Sequence, residues 1–447
     1  MMIFNIDRDL ENWSYVAKIA HLRSFAILLI GPGFHGVLSI SRYLWGGAMK
    51  KQILGIAACM SVYGVAHAQS SVTLYGLLDN GFVFNSNSKG SRQYELGSGN
   101  LQGDRWGLIG SEDLGGGLKA IFRLEGGFNI DNGTLGQGGA EFGRKAYVGL
   151  ASSMGTVTLG RQYDLLGDYV GSFESGNAEK LVTLKEWGSI YGSHPGDMDN
   201  LDNTNRINNS IKYASPNYGG LSFGGFYSFG GKAGEFTQDQ IYAVGAGYDN
   251  GPLALGVSYE NARDPNFSVF GTNPSANSPT STSALNMSSP VYSGFASAHT
   301  WQVVSAGAAY KVGNATIGGV YSNVQFKDIG AEAGAGLNPQ KLTGTATFNI
   351  GEINLAYLVT PALQVGTAYT YTRGSSIGSI SGAIYSQVNL AANYALSVRT
   401  DLYLVGIYQH ASGKDSTGKT AVAAISNLSN SSTNVQTALI VGIRHKF

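Results

Sequence analysis

The chain has 447 residues, a formal net charge of zero and a single cysteine, and only 13% of its positions are charged. That balance argues against a basic nucleic-acid-binding surface and against a disulfide or thiolate-metal scaffold. Its 64 Gly, 25 Tyr and 19 Phe, with a mean hydropathy of −0.03, fit alternating strands better than a bundle of apolar helices.

In chain order, the first feature is a secretory leader. Met49-Lys50-Lys51 supplies a positive start, Gln52 to Val65 an apolar run, and Ala66-His67-Ala68 a small-residue cleavage site, so cleavage is expected between Ala68 and Gln69. Residues 1–48 are expected to be an upstream extension from a start codon assigned too early. The apolar stretch from Phe25 to Leu38 within them is interrupted by Pro32-Gly33 and is too short to span a bilayer. Cys59 falls inside the leader, which leaves the mature part, 69–447, without a thiol.

Beyond residue 68 no run approaches the roughly 20 apolar residues of a membrane helix. Instead, sixteen segments of alternating polarity are predicted as strands, near 71–84, 103–112, 118–128, 143–151, 156–163, 206–214, 221–229 and 240–249. The series continues with 253–261, 301–311, 314–324, 345–359, 363–373, 385–395, 400–409 and 434–447. Short turns such as 113–117, 152–155 and 312–314 alternate with long polar connections such as 85–102, 129–142, 164–205, 262–300, 325–344 and 410–433. This rhythm predicts an all-β, sixteen-stranded antiparallel transmembrane barrel with both termini on the short-turn side. The last strand sets Leu439, Val441, Ile443, His445 and Phe447 on one face and is expected to close the barrel through Phe447.

Several ordered blocks resemble the general trimeric porins of Gram-negative outer membranes. They are Ser71-Val72-Thr73-Leu74-Tyr75-Gly76-Leu77-Leu78-Asp79, Arg105-Trp106-Gly107-Leu108-Ile109-Gly110-Ser111-Glu112-Asp113-Leu114-Gly115, Arg144-Lys145-Ala146-Tyr147-Val148-Gly149-Leu150, Leu159-Gly160-Arg161-Gln162-Tyr163 and Asn209-Ser210-Ile211-Lys212-Tyr213-Ala214-Ser215-Pro216. The resemblance covers essentially all of 69–447. It implies a homotrimer in the outer membrane whose third external connection, 164–205 here, folds inward to narrow each pore.

A passive pore selects by width and by charges facing its water column. In 118–128 the apolar set Leu118, Ala120, Phe122 and Leu124 faces out, which turns Lys119, Arg123 and Glu125 inward. The same parity turns Arg105, Arg206 and Lys212 inward, and Arg144, opposite in parity to Tyr147, joins them in a basic wall. Among the acids of the third connection, Asp168 and Glu174 are the expected constriction residues, and the surplus of acids there leans slightly toward cation preference. Arg161 has outward parity. The resemblance implies a subunit contact at such an arginine, with Glu141 as the expected partner. Tyr75, Tyr147, Tyr213, Tyr310, Tyr357 and Tyr394 are expected in the interfacial aromatic girdles.

The function expected is general diffusion of ions and small hydrophilic solutes, with a substrate-specific channel as the alternative. No catalytic residue, metal or cofactor is expected. A barrel hydrolase would need a histidine beside a nucleophile or activated water, and no such motif surrounds His194, His299, His410 or His445. An adhesin has no use for a basic lumen. Expected partners are two further copies of the chain, lipopolysaccharide at the rim and the barrel-assembly machinery that receives the terminal strand; nucleic acid is not among them.

Overall fold

The computed structural model describes residues 70–177, 187–271, 285–332, 334 and 336–447. The leader, the upstream extension and the Ala68–Gln69 cleavage site lie outside the described residues, as do Glu179 and Glu186 of the third connection. From residue 71 onward the chain runs as β1 (Ser71–Ser88), β2 (Ser91–Ser98), β3 (Arg105–Gly115), β4 (Leu118–Gly127), β5 (Lys145–Ser152) and β6 (Gly155–Gln162). After the third connection come β7 (Ile207–Ala214), β8 (Leu221–Ser228), β9 (Ile241–Asn250), β10 (Leu253–Arg263), β11 (Ala298–Val312) and β12 (Ala315–Ile329). The last five are β13 (Gly344–Leu358), β14 (Leu363–Gly374), β15 (Ala383–Ala395), β16 (Thr400–Gly413) and β17 (Val435–Lys446).

Every pairing is antiparallel and the sheet closes on itself. β1 meets β17 from Leu77↔Lys446 to Asn85↔Ala438. The closing rung is made by the last residue: Gly76 N donates to Phe447 O and Phe447 N to Gly76 O, each at 3.0 Å. Gly76 is required there because a Cβ would lie 2.8 Å from the backbone Arg105 O as well as against the Phe447 ring.

The seventeen segments occupy sixteen barrel positions, because β2 and β3 share one. β1 pairs with β3 through its first half, Ser71↔Ser111 to Leu77↔Arg105, and with β2 through its second, Asn80↔Ser98 to Ser88↔Ser91. Residues 85–102, expected to form a long loop, therefore turn at Lys89-Gly90 and return as a strand. Only Tyr94 and Leu96 carry apolar alternation in β2, too few to register as a strand by pattern. Where the ladder breaks at 99–104, side chains replace it. The buried Asp79 accepts from Leu101 N at 2.7 Å and Gln102 N at 2.9 Å, and Asp79 N donates to the Asp104 carboxylate.

Alternation in burial confirms the faces. On β13 Ile353, Leu355 and Tyr357 point out while Glu352, Asn354 and Ala356 are buried, and on β17 Leu439, Val441 and Ile443 point out while Ala438, Ile440 and Arg444 are buried. Tyr213 pairs with Val157 on the outward side and Tyr310, Tyr357 and Tyr394 are exposed there. Tyr75 and Tyr147 are not girdle residues. Tyr147 pairs across from Arg123, and Tyr75 donates to Glu125, so both face inward.

The apolar core lies on that inward side. A short helix, α1 (Leu165–Tyr169), is capped by Asp164, whose carboxylate accepts from Leu166 N and Gly167 N. Phe173 packs over Gly307, Trp187 over Gly366, and Trp301 Nε1 donates to Met198 O at 3.1 Å. Phe295 rests on Phe326 and Phe348, so 163–206 and 264–297 both contribute to this core.

Substituting Gly76→Val, or deleting Phe447, is expected to reduce several-fold the fraction of protein with the heat-modifiable gel mobility of a folded barrel. Gly351→Ala, where a Cβ meets nothing, should leave that fraction unchanged.

Candidate functional site

Register across β1, β3, β4 and β5 builds one inward-facing wall. Directly opposed residues share a face, so Tyr75↔Gly107, Gly107↔Glu125 and Glu125↔Lys145 form a row. Arg123 and Tyr147 stand in the next row, and Arg105 opposes Leu77 on the other side.

Glu125 is the hub of the wall. Its carboxylate accepts from Tyr75 Oη at 2.6 Å, Arg123 Nη2 at 2.8 Å and Arg144 Nε at 2.9 Å. Arg144 extends the network by donating to Tyr163 Oη at 2.6 Å. The Tyr163 ring in turn lies 4.3 Å from Lys145 Nζ and 5.4 Å from the Arg206 guanidinium. Arg206 is tied back through Thr204 O and Arg105 through Gly103 O. One carboxylate and one aromatic ring thus hold a group of cations that would otherwise repel each other.

A cavity of about 630 Å³ opens beside this wall, with Arg105, Arg123, Arg144, Lys145 and Arg206 on it and Asp168 and Asp202 as its acids. Burial, and then Asp197 beside it, pushes the Asp202 carboxyl up to about 7. Asp168 is paired with Lys212 at 2.7 Å. A second recess, lined by Leu355, Leu390, Leu404 and Leu439, is apolar and lies on the outward face.

The remaining acids of the third connection serve a buried anchor. His194 Nδ1 meets Asp199 at 2.7 Å, its backbone N donates to Glu174 at 2.6 Å, and its Nε2 lies 3.6 Å from Glu352 of β13. Burial alone would discharge the imidazole. The carboxylates of Asp199 and Glu174 outweigh it and hold His194 protonated well above the ordinary histidine range. Glu352 also accepts from Ser175 N and Oγ at 2.8 Å, and Asn389 of β15 donates to Ser175 Oγ.

A sequence model of the Gram-negative porin family matches residues 55–416. The chain belongs to that family. It is 30% identical over 413 residues to outer membrane porin protein 32 of Delftia acidovorans, a match covering 89% of this chain and 100% of that one. An outer membrane porin protein of Bordetella pertussis is 35% identical over 250 residues, half of this chain and 62% of its own length, so this chain spans less than two thirds of that relative. Among solved structures, an anion-selective porin from Comamonas acidovorans superposes with a TM-score of 0.64 at 24% identity, covering 85% of this chain and all of that one. The trimer form of OmpT from Vibrio cholerae gives 0.57 at 16% identity and shares the fold. The protein is a porin of the Gram-negative outer membrane.

In this porin the sequence-derived basic residues divide. Arg105, Arg123, Arg144 and Arg206 meet at the cavity, and Lys212 joins through Asp168. Lys119 does not. It sits at the exposed far end of β4, opposite Asp113 and Ala151. Lys145 also lines the cavity, and a parity that sets Tyr147 outward hides it. Val148 and Leu150 are the exposed residues, and Arg144 lies before β5 begins, where parity carries no information. A bulge between Gly160 and Gln162 likewise turns Ile207 inward. Of the two expected constriction acids, Asp168 reaches the cavity while Glu174 is fully buried against His194. Arg161 bonds within its own chain, to Gly143 O at 2.8 Å and Asn208 Oδ1 at 2.6 Å, and Glu141 is exposed.

Glu125→Gln leaves the buried Arg144 without its carboxylate. It is expected to cost about 3–5 kcal/mol, seen as a lower temperature for loss of the folded gel mobility. Lys212→Gln breaks a half-open pair worth about 0–1 kcal/mol and should scarcely move it.

Proposed function

We propose that this porin is a general diffusion pore for small hydrophilic solutes, with a preference for anions set where the third connection, 163–206, narrows the lumen. The observation that carries this is the charge around one cavity, five cations (Arg105, Arg123, Arg144, Lys145 and Arg206) against the carboxylates of Asp168 and Asp202. The acids that favoured cations by count, Asp164, Glu174, Asp197 and Asp199, are buried, and each has hydrogen-bond partners inside the protein. They add little net negative charge to the water column, because burial raises the carboxyl pKa of Asp164, Glu174 and Asp197 and the protonated His194 offsets Asp199. The related fold described as an anion-selective porin adds weight to the same choice.

We further propose that maturation removes residues 1–68 and that three copies assemble, with an Arg161–Glu141 pair between subunits. Phe447 would serve as the recognition signal for the assembly machinery, and lipopolysaccharide would meet the outer rim.

In planar bilayers across a KCl gradient, the reversal potential is expected to take the sign of chloride preference. Arg105→Gln with Arg206→Gln should move it toward potassium. A cation-selective parent, or a reversal potential indifferent to both substitutions, rejects the proposal.

The anion preference should also rise as pH falls through about 7, because Asp202 takes up a proton there and the wall loses one negative charge. Asp202→Asn should shrink this step and leave the part that belongs to Tyr163, whose phenol burial would raise but Arg144, Arg206 and Lys145 bring down to about 7.

A further inference from the structure

At the outer end of the barrel, away from the cavity, three segments distant in sequence bring metal-ligating atoms together. Asp264 follows β10 and leads into a short helix, α2 (Pro265–Ser268), His299 opens β11, and Glu332 lies in the connection after β12. His299 Nδ1 is 3.1 Å from Asp264 Oδ1 and 3.0 Å from Glu332 Oε1, and the three ligand atoms all lie within 4.8 Å of one another.

Charge makes this arrangement incomplete by itself. The Asp264 side chain is wholly buried, and among the described residues neither it nor Glu332 has a lysine or arginine partner. Two carboxylates face a single imidazole nitrogen, whose one proton can be donated well to only one of them. Like charges brought together in this way are relieved either by a shared proton or by a cation held between them.

The frame around the three side chains is fixed by backbone. Asp264 N donates to His299 O at 2.7 Å, and Glu332 N and Gly330 N both donate to Ser297 O at 3.1 Å. Behind the site, Gln238 Nε2 donates to Asp264 Oδ2 at 2.7 Å, which leaves Oδ1 turned toward the imidazole. Such an outer partner orients a ligating carboxylate. His299 and Glu332 are 35% and 23% exposed, so an ion can enter from water and keep water as a further ligand.

We propose that Asp264, His299 and Glu332 form a divalent transition-metal site, with Zn²⁺ its reference ion, that clamps the connections after β10 and β12 to the start of β11. Ligand atoms on a tetrahedral zinc at about 2.0–2.1 Å lie roughly 3.3–3.4 Å apart. The two separations from His299 Nδ1 need to open by only a few tenths of an ångström to admit one. One imidazole with two carboxylates is a donor set that suits zinc, whereas calcium and magnesium prefer oxygen alone.

The experiment is zinc titration of the full folded chain in detergent after chelator treatment, followed by calorimetry, with Co²⁺ absorption reporting coordination geometry. Saturable uptake of one ion per chain is expected. His299→Ala and Glu332→Gln should each weaken it at least about tenfold, and Gln238→Ala by about 10–100-fold. His445→Ala, at the opposite end of the barrel, should leave it unchanged. Folded gel mobility shows that each variant retains the barrel, and Glu332→Gln, at a partly exposed side chain, serves if His299→Ala does not fold. Absence of saturable uptake by the parent, or uptake equal in parent and Glu332→Gln, overturns the proposal.

Discussion

A backbone amide left unpaired in hydrocarbon costs several kcal/mol, and the architecture follows from avoiding that cost. The sheet closes because β1 accepts β17 through Leu77–Asn85 and the Gly76–Phe447 rung extends the ladder to the last residue. The same demand explains how the ladder can break between β2 and β3. Between β2 and β3 the chain detours inward at 99–104, and Asp79 and Asp104 take the backbone donors that the neighbouring strand releases. Tyr403 of β16 also donates to Asp79, so the detour is braced by a strand almost at the other end of the chain.

Closure fixes the strands, and the inward charges then fix the third connection. Polar side chains that would be costly to bury in isolation serve as its attachment points. Glu352 and Asn389 receive Ser175, the protonated His194 gathers Asp199 and Glu174, and Trp187 rests on the bare backbone of Gly366. Asp164 and Glu352 each accept from several donors, and Glu174 and Asp199 face the protonated His194, the condition under which burial is tolerable. The acids of this anchor are buried, whereas the cavity beside the basic wall around Glu125 carries Asp168 and Asp202 as its acids.

Much of the barrel was legible in the sequence because strand periodicity is local. Two-residue alternation assigns faces without reference to any distant residue, so sixteen segments, the outward row Leu439, Val441 and Ile443, and the inward Arg105, Arg123 and Glu125 could be read directly. β2 escaped because its two apolar side chains give too little alternation. Arg144 and Arg206 were placed inward by parity although both lie outside strands, and they arrive there through contacts with Glu125 and Tyr163 instead.

The sequence by itself determined the fold class, the direction of most strand side chains and the aromatic end that closes the barrel, because each depends on neighbours a few residues away. Tertiary structure decided which charges face water. Whether an acid such as Glu174 or Asp202 lines the cavity or is buried depends on where 163–206 meets β13 and β15, more than a hundred residues later. That meeting is set by shape and by partners such as Glu352, Asn389 and Gly366, and no local pattern in the connection encodes it.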